Sequence, residues 1–298
     1  SRLDELERRA VANGVPGLAR VDASGLRAIE PHASGIAALH SPSTAIVDFA
    51  AVARSFAADL AVAGGEVRTG TAVRRVDAGA RARVVLDDGA VLEADRVIVC
   101  AGLHADRLAR ASGAASEPRI VPFRGEYFEV VPERRDRVRG LIYPVPDPAF
   151  PFLGIHLTRR VDGAVLVGPN AVPALALEGY ARGARSAADL RDLARWPGSW
   201  RLARRHWRTG LAELRRSRTT ERFVAEAARY LPGLTVADVR PAAAGVRAQA
   251  VDRDGSLVDD FRVETNGGVA WVRNAPSPAA TSSLALAEEL LERSGLAG

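Results

Sequence analysis

The sequence has no lysine: all 41 of its basic residues are arginine. Against 36 acids they leave a net charge of +5, a balance that can signal nucleic-acid binding. The arginines are interleaved with the acids, apart from one dense zone over residues 201–222, so they read as solvated helix faces and no nucleic-acid partner is expected. The lone Cys100 excludes an internal disulfide and fits a reducing, cytoplasmic setting. Within the apolar run Val97–Cys100 it reads as a buried strand residue rather than a nucleophile. No uninterrupted apolar run approaches the roughly 18 residues of a membrane span, and no basic, apolar leader opens the chain. The five histidines are scattered, so no metal site is expected. There is no G-x-S-x-G elbow and no G-x-G-x-x-G turn. Methionine is absent even from position 1, and the chain opens directly in a helical pattern, SRLDELERRA. That opening predicts a portion of a longer protein.

What is present is a mixed pattern, 47% apolar and 26% charged, enough for one large core or two linked ones. Residues 2–12 form a charged amphipathic helix; a short helix within 20–31 is capped by Asp22 or Ser24 and stopped by Pro31. Asp48 caps a helix from Phe49 to Val62 that carries Val52, Phe56 and Leu60 at helical spacing and ends at Gly64-Gly65. Strands are predicted at 66–69, 72–76, 83–86 and 91–94, the last two a hairpin around Asp87-Asp88-Gly89. Residues 96–100 read as a strand buried on both faces, with Ala101-Gly102 at its carboxyl end and a helix resuming near Asp106. Helix, strand, hairpin, buried strand and terminal glycine is the order of the second half of a two-part FAD-binding domain.

From Arg119 the texture changes. Strands at 119–131, 141–146, 152–158 and 164–169 predict an antiparallel sheet, and residues 175–231 read as mostly helical. After Pro232-Gly233, a strand at 269–273 leads through small and hydroxyl residues into a closing helix over 284–293, whose N-terminus can face a polar or anionic ligand. The fold class is α/β with an α+β insertion: a Rossmann-like, two-part FAD-binding domain truncated at its N-terminus, with an antiparallel-sheet substrate domain. Residues 1–115 and 239–298 are assigned to the FAD domain and 116–238 to the substrate domain.

The stretch LIYPVPDPAFPFLGIHLTR, residues 141–159, is broken by four prolines and cannot be a helix. It predicts strands near 141–145 and 152–158, with His156 on one and Tyr143 on its partner. An imidazole and a phenol facing one cavity suit proton transfer on a small substrate. A core sheet whose His and Tyr are merely hydrogen-bonded accounts for the same residues.

This stretch, with HSPSTAIVD (40–48), RGEYFEV (124–130), VGPNAV (167–172), GVRAQAVDRDG (245–255), LVDDF (257–261) and NAPSPAATSS (274–283), resembles the L-2-hydroxyglutarate oxidase/dehydrogenase family. That family sits within the D-amino-acid-oxidase-like FAD oxidoreductases. The match runs in order from near residue 20 to the end. The family's opening strand–glycine turn–helix is not in this sequence, which starts after roughly the first hundred residues of the family pattern. The resemblance implies FAD as cofactor and oxidation of L-2-hydroxyglutarate, a small dicarboxylate, to 2-oxoglutarate. It further implies electrons passing to a membrane quinone or to oxygen, with any membrane contact peripheral, at the inner face.

Such a reaction needs a base at the hydroxyl, a cation for the α-carboxylate and a flat hydride acceptor. His156 is the candidate base and Arg247 the carboxylate clamp, since guanidinium grips carboxylate bidentately. Tyr143 is a candidate for orienting substrate, His40 for a place near the flavin, and Arg124 for the distal carboxylate. Each also has a structural reading: core histidine, surface arginine, packing tyrosine, loop cap and salt bridge. Val73, Ala101, Gly102, Gly245, Asn274 and the run Pro276, Ser277, Pro278, Ala279, Ala280 and Thr281 are the candidate FAD contacts. Two rivals stand beside this reading: an amino-acid or sarcosine-type oxidase on the same fold, and a truncated module that binds no flavin.

Overall fold

The computed structural model describes residues 1–146, 154–217, 219–276 and 279–293. In chain order the first elements are α1 (Arg2–Ala12), β1 (Ala19–Asp22), α2 (Ala23–Ile29), β2 (Ala37–His40), α3 (Phe49–Val62), β3 (Val73–Asp77), β4 (Ala82–Leu86) and β5 (Val91–Ala94). There follow β6 (Val97–Val99), α4 (Ala105–Ala111), β7 (Arg119–Gly125), β8 (Phe128–Val130), β9 (Leu141–Ile142), β10 (His156–Arg159), β11 (Val165–Gly168) and β12 (Val172–Pro173). The chain continues with α5 (Ala187–Ala194), α6 (Pro197–Ser217), α7 (Thr220–Ala227), β13 (Val239–Pro241), β14 (Gly245–Val251), β15 (Arg262–Asn266), β16 (Val269–Asn274) and α8 (Ser283–Arg293).

These elements form two compact units: Ser1–Ala53, Arg124–Val172 and Leu211–Gly245 in the first; Arg54–Phe123, Pro173–Gly210 and Val246–Gly298 in the second. The first unit is built on a five-stranded sheet of order β13-β8-β11-β10-β9, antiparallel at every pairing among the described residues. Alternation along β11 and β8 turns Val165, Val167 and Val130 to one face, where α7 lays Phe223, Val224 and Ala227 against them. Phe223 meets Phe128 at a ring-centroid distance of 4.8 Å, and Leu157 of β10 is fully buried in the same cluster. Fully burying an aliphatic or aromatic side chain of this size contributes about 1.5–3 kcal/mol, so this cluster holds the unit together. Asp22 caps α2 by accepting from the Ser24 and Gly25 N–H groups, one of the two caps expected from the sequence.

The second unit holds three-stranded sheets β3-β4-β5 and β15-β16-β6. The pairing of β16 with β6 is parallel, with Val269 opposite Val97 and Trp271 opposite Val99, and α4 packs Ala109 into the core beneath them. A further sheet has the order β12-β7-β14. Trp196 is buried with the Arg119 guanidinium 4.5 Å and that of Arg253 5.1 Å from its ring centroid.

Several sequence expectations need correction. Residues 66–69 form no strand, and the expected strand over 119–131 breaks at 126–127. Helix within 175–231 begins only at Ala187, and α6 is kinked at His206. The apolar run at 96–100 yields only the three-residue β6, half-buried, and Cys100 is exposed rather than buried. Phe56 and Leu60, the apolar residues at helical spacing with Val52 on α3, are 44% and 45% exposed. β1, β2 and β15 lie where the sequence predicts no strand.

Buried charge in the second unit is held by backbone donors. Asp189 of α5 accepts from the Leu177 N–H at 2.7 Å and pairs with Arg107 at 2.7 Å. Burial would raise its carboxyl, but those two donors overcome it and hold the group below the ordinary value. A depressed carboxyl stabilises the fold above its unfolded value and ceases to as pH falls through the folded one. Asp189→Asn is therefore expected to cost about 1.5–3 kcal/mol in urea unfolding at pH 7, with the gap to wild type closing below about pH 4.

Candidate functional site

His156 opens β10 and is 9% exposed. Its backbone lies opposite Gly168 of β11, while Leu157 faces Ile142 of β9. Continuing that second register by one residue brings Tyr143 alongside the imidazole, and the two rings stack at 4.2 Å between centroids with 15° between their planes. Nδ1 of His156 lies 2.8 Å from Thr158 Oγ1. Thr158 is two residues along the same strand, hence on the same face. The period-two spacing was the signal for this partner, and the sequence reading did not use it. Tyr143, at 46% exposed, covers the buried ring from the solvent side. Of the proline-rich stretch, residues 147–153 lie outside the described residues, including the start of the strand expected at 152–158.

Arg124 does not stand alone. Its guanidinium donates to Glu126, whose carboxylate also accepts from Asn170 Nδ2 at 2.8 Å, while the Glu126 N–H donates to Asn170 Oδ1 at 2.8 Å. The RGEYF and VGPN segments are thus clasped by a reciprocal amide pair across 44 residues of sequence, which no local pattern announces. Gly168 beside it has φ +143°, and a Cβ there would come within 2.7 Å of the Glu126 carbonyl oxygen, so only glycine fits. His40 ends β2 opposite Ala19, half-buried, and among the described residues its ring makes no hydrogen bond. His156, Tyr143, Arg124 and His40 all belong to the first unit; Arg247, exposed on β14, belongs to the second. Of these candidates, the structure brings Tyr143 and His156 into contact.

Two of the candidate cofactor segments, Ala101-Gly102 and Asn274, lie at the ends of the second unit's parallel pair. Because β6 and β16 run the same way, Ala101-Gly102 and Asn274 leave the sheet at a common carboxyl edge, where open α/β sheets take their ligands. Gly102 has φ +52° with open space where a Cβ would point. Small residues at this edge let a planar group approach the backbone, so the residues fit a flavin here; the glycine-rich phosphate turn is not part of this sequence. Val73 begins β3 and is 38% exposed. Asn274 is buried, its Nδ2 donating to the Val258 and Asp260 carbonyls at 2.9 Å each, so its amide is committed to the chain itself. Pro276 is half-buried, Ala279, Ala280 and Thr281 form the turn into α8, and Ser277 and Pro278 lie outside the described residues. Gly245 begins β14, half-buried. Among the described residues no cluster of metal-ligating side chains occurs, and no helix is long and apolar enough to cross a membrane.

A parallel strand pair with a glycine-bearing carboxyl edge suits a nucleotide cofactor, and a buried histidine on an antiparallel sheet suits proton transfer: the two needs of a cofactor-dependent oxidoreductase. The solved L-α-glycerophosphate oxidase of Mycoplasma pneumoniae, with FAD bound, shares this fold at a TM-score of 0.73, with 16% identity, covering 99% of this chain and 69% of that one. The family model described as FAD dependent oxidoreductase matches residues 1–293, and the chain belongs to that family, whose cofactor is FAD. Among relatives, it is 43% identical to the mitochondrial L-2-hydroxyglutarate dehydrogenase of Caenorhabditis elegans, over 96% of this chain and 69% of that protein. It is 40% identical to the L-2-hydroxyglutarate dehydrogenase of Indibacter alkaliphilus, over 97% of this chain and 73% of that one.

Asn170→Ala removes both halves of the clasp on Glu126. It is expected to cost about 1–3 kcal/mol, read from the chemical-denaturation midpoint, because the half-buried carboxylate and N–H of Glu126 lose partners that water cannot fully replace.

Proposed function

We propose that this protein oxidises L-2-hydroxyglutarate to 2-oxoglutarate. The observation that carries the reading is the Tyr143–His156 stack in a chain 43% identical to a dehydrogenase of that substrate. FAD, when bound, supplies the acceptor for the α-carbon hydride. The chain must then take the hydroxyl proton. In the tautomer whose Nδ1–H donates to Thr158 Oγ1, the basic nitrogen of His156 is Nε2, and burial beneath Tyr143 shields the ring from bulk water. Hydride and proton together leave the carbonyl of 2-oxoglutarate. Tyr143 orients the substrate against the imidazole.

Arg247, exposed on β14, is proposed as the α-carboxylate clamp. Arg124 is the lesser candidate for the distal carboxylate, since Glu126 already neutralises it. His40 is proposed to lie near the flavin. Val73, Ala101, Gly102, Gly245 and residues 276–281 are proposed to contact FAD through backbone, and Asn274 through its main chain only, given its committed amide. Residues 1–115 and 239–298 are proposed to serve the flavin and 116–238 the substrate. The electrons pass to a quinone at a membrane surface or to oxygen, from a cytoplasmic enzyme peripheral to the membrane.

The test is anaerobic: purify the protein with FAD and add substrates in turn. Flavin bands that bleach with L-2-hydroxyglutarate, and not with glycine or sarcosine, are expected; the reverse order would move the protein to the amine oxidases. His156→Gln should lower kcat by about 10²–10⁴ with KM little changed, and Arg247→Ala should raise KM by roughly tenfold or more. Full turnover in either variant removes that residue from the site.

A further inference from the structure

Glu30 is a buried carboxylate that the proposed chemistry does not use. It sits at the C-cap of α2 and is 6% exposed. Its oxygens accept from two successive backbone donors, Oε2 from the Arg139 N–H at 3.0 Å and Oε1 from the Gly140 N–H at 2.6 Å. Both donors immediately precede β9, a strand of two residues at the edge of the five-stranded sheet. The next residue after β9 is Tyr143, the ring stacked on His156. So short an edge strand has few ladder bonds to fix it. The Arg159 guanidinium adds one more tie by donating to the Val138 carbonyl at 3.0 Å.

Resting on the functional reading above, we infer that Glu30 is a positioning residue: its bidentate grip on the 139–140 backbone sets the seat of Tyr143 over His156. The chemistry requires a carboxylate. Two N–H groups converging on one side chain need two acceptors, and a carboxamide offers one acceptor and turns its NH₂ toward the other donor. Space is equally specific, since a Cβ at Gly140 would lie 3.2 Å from Glu30 Oε1 and press on the grip. Glu30→Gln and Gly140→Ala therefore disturb the same contact from opposite sides.

The experiment reads the His156 ring directly, by NMR of histidine-labelled protein. The resonance is assigned with His156→Gln, and Tyr143→Leu gives its position without a stacked phenol. Glu30→Gln and Gly140→Ala, each checked for a cooperative melt, are expected to move the His156 signal toward its Tyr143→Leu position. They should also lower kcat roughly tenfold to a hundredfold, with KM changed much less, as misplaced catalytic groups do. A wild-type His156 resonance in either folded variant would overturn the inference. Should His156→Gln keep full turnover, the imidazole leaves the proposed reaction, yet the resonance in Glu30→Gln still decides whether Glu30 sets the stack.

Discussion

The register of β10 is the constraint on which the first unit depends. Strand side chains alternate faces with a period of two, so a slip of one residue would turn the buried Leu157 outward and His156 away from Tyr143. Two neighbours hold that register. On one side Gly168 lies opposite His156, at a backbone angle only glycine adopts and with no room for a Cβ. On the other, the short β9 pairs with Leu157 and Thr158, and Glu30 grips the backbone just before it. The hydrophobic cluster beneath the sheet supplies the energy; the glycine and the carboxylate supply the alignment.

A common device runs through both units. Buried charges meet main-chain groups as well as opposite charges. Glu30 and Asp189 accept backbone N–H groups, and Arg273, 2% exposed, donates to the carbonyls of Ala115 and Glu117. Burial pulls the Arg273 guanidinium below its ordinary value without discharging it. Fixed, planar, multivalent groups suit this task, and a chain whose only strong cation is arginine has them in supply. Such contacts pin loops that carry no regular hydrogen bonding of their own, such as 115–118 and 139–140.

The proposed chemistry is divided in the same way. A proton acceptor needs a ring of fixed orientation in a partly dry seat, and the antiparallel sheet provides it through Thr158 and Tyr143. A planar redox cofactor needs close approach to backbone, and the carboxyl edge of a parallel pair provides that through small residues.

Local patterns in the sequence determined much of this. The helices at 2–12 and 49–62, the hairpin around Gly89, the placing of His156 on a strand and the family itself follow from periodicity, turn residues and long motifs, all of which act over short separations, whereas the strand expected at 141–145 shrinks to Leu141–Ile142 and leaves Tyr143 just beyond its end. Tertiary structure decided what no short window contains. It chose which apolar stretches are covered, leaving Cys100 exposed and shortening the strand before it. It joined Asn170 to Glu126 and Glu30 to Gly140 across 44 and 110 residues, and it engaged the candidate ligand Asn274 with the carbonyls of Val258 and Asp260. The physical reason is that a buried polar group must find a partner wherever the fold brings one, and sequence distance does not limit that search.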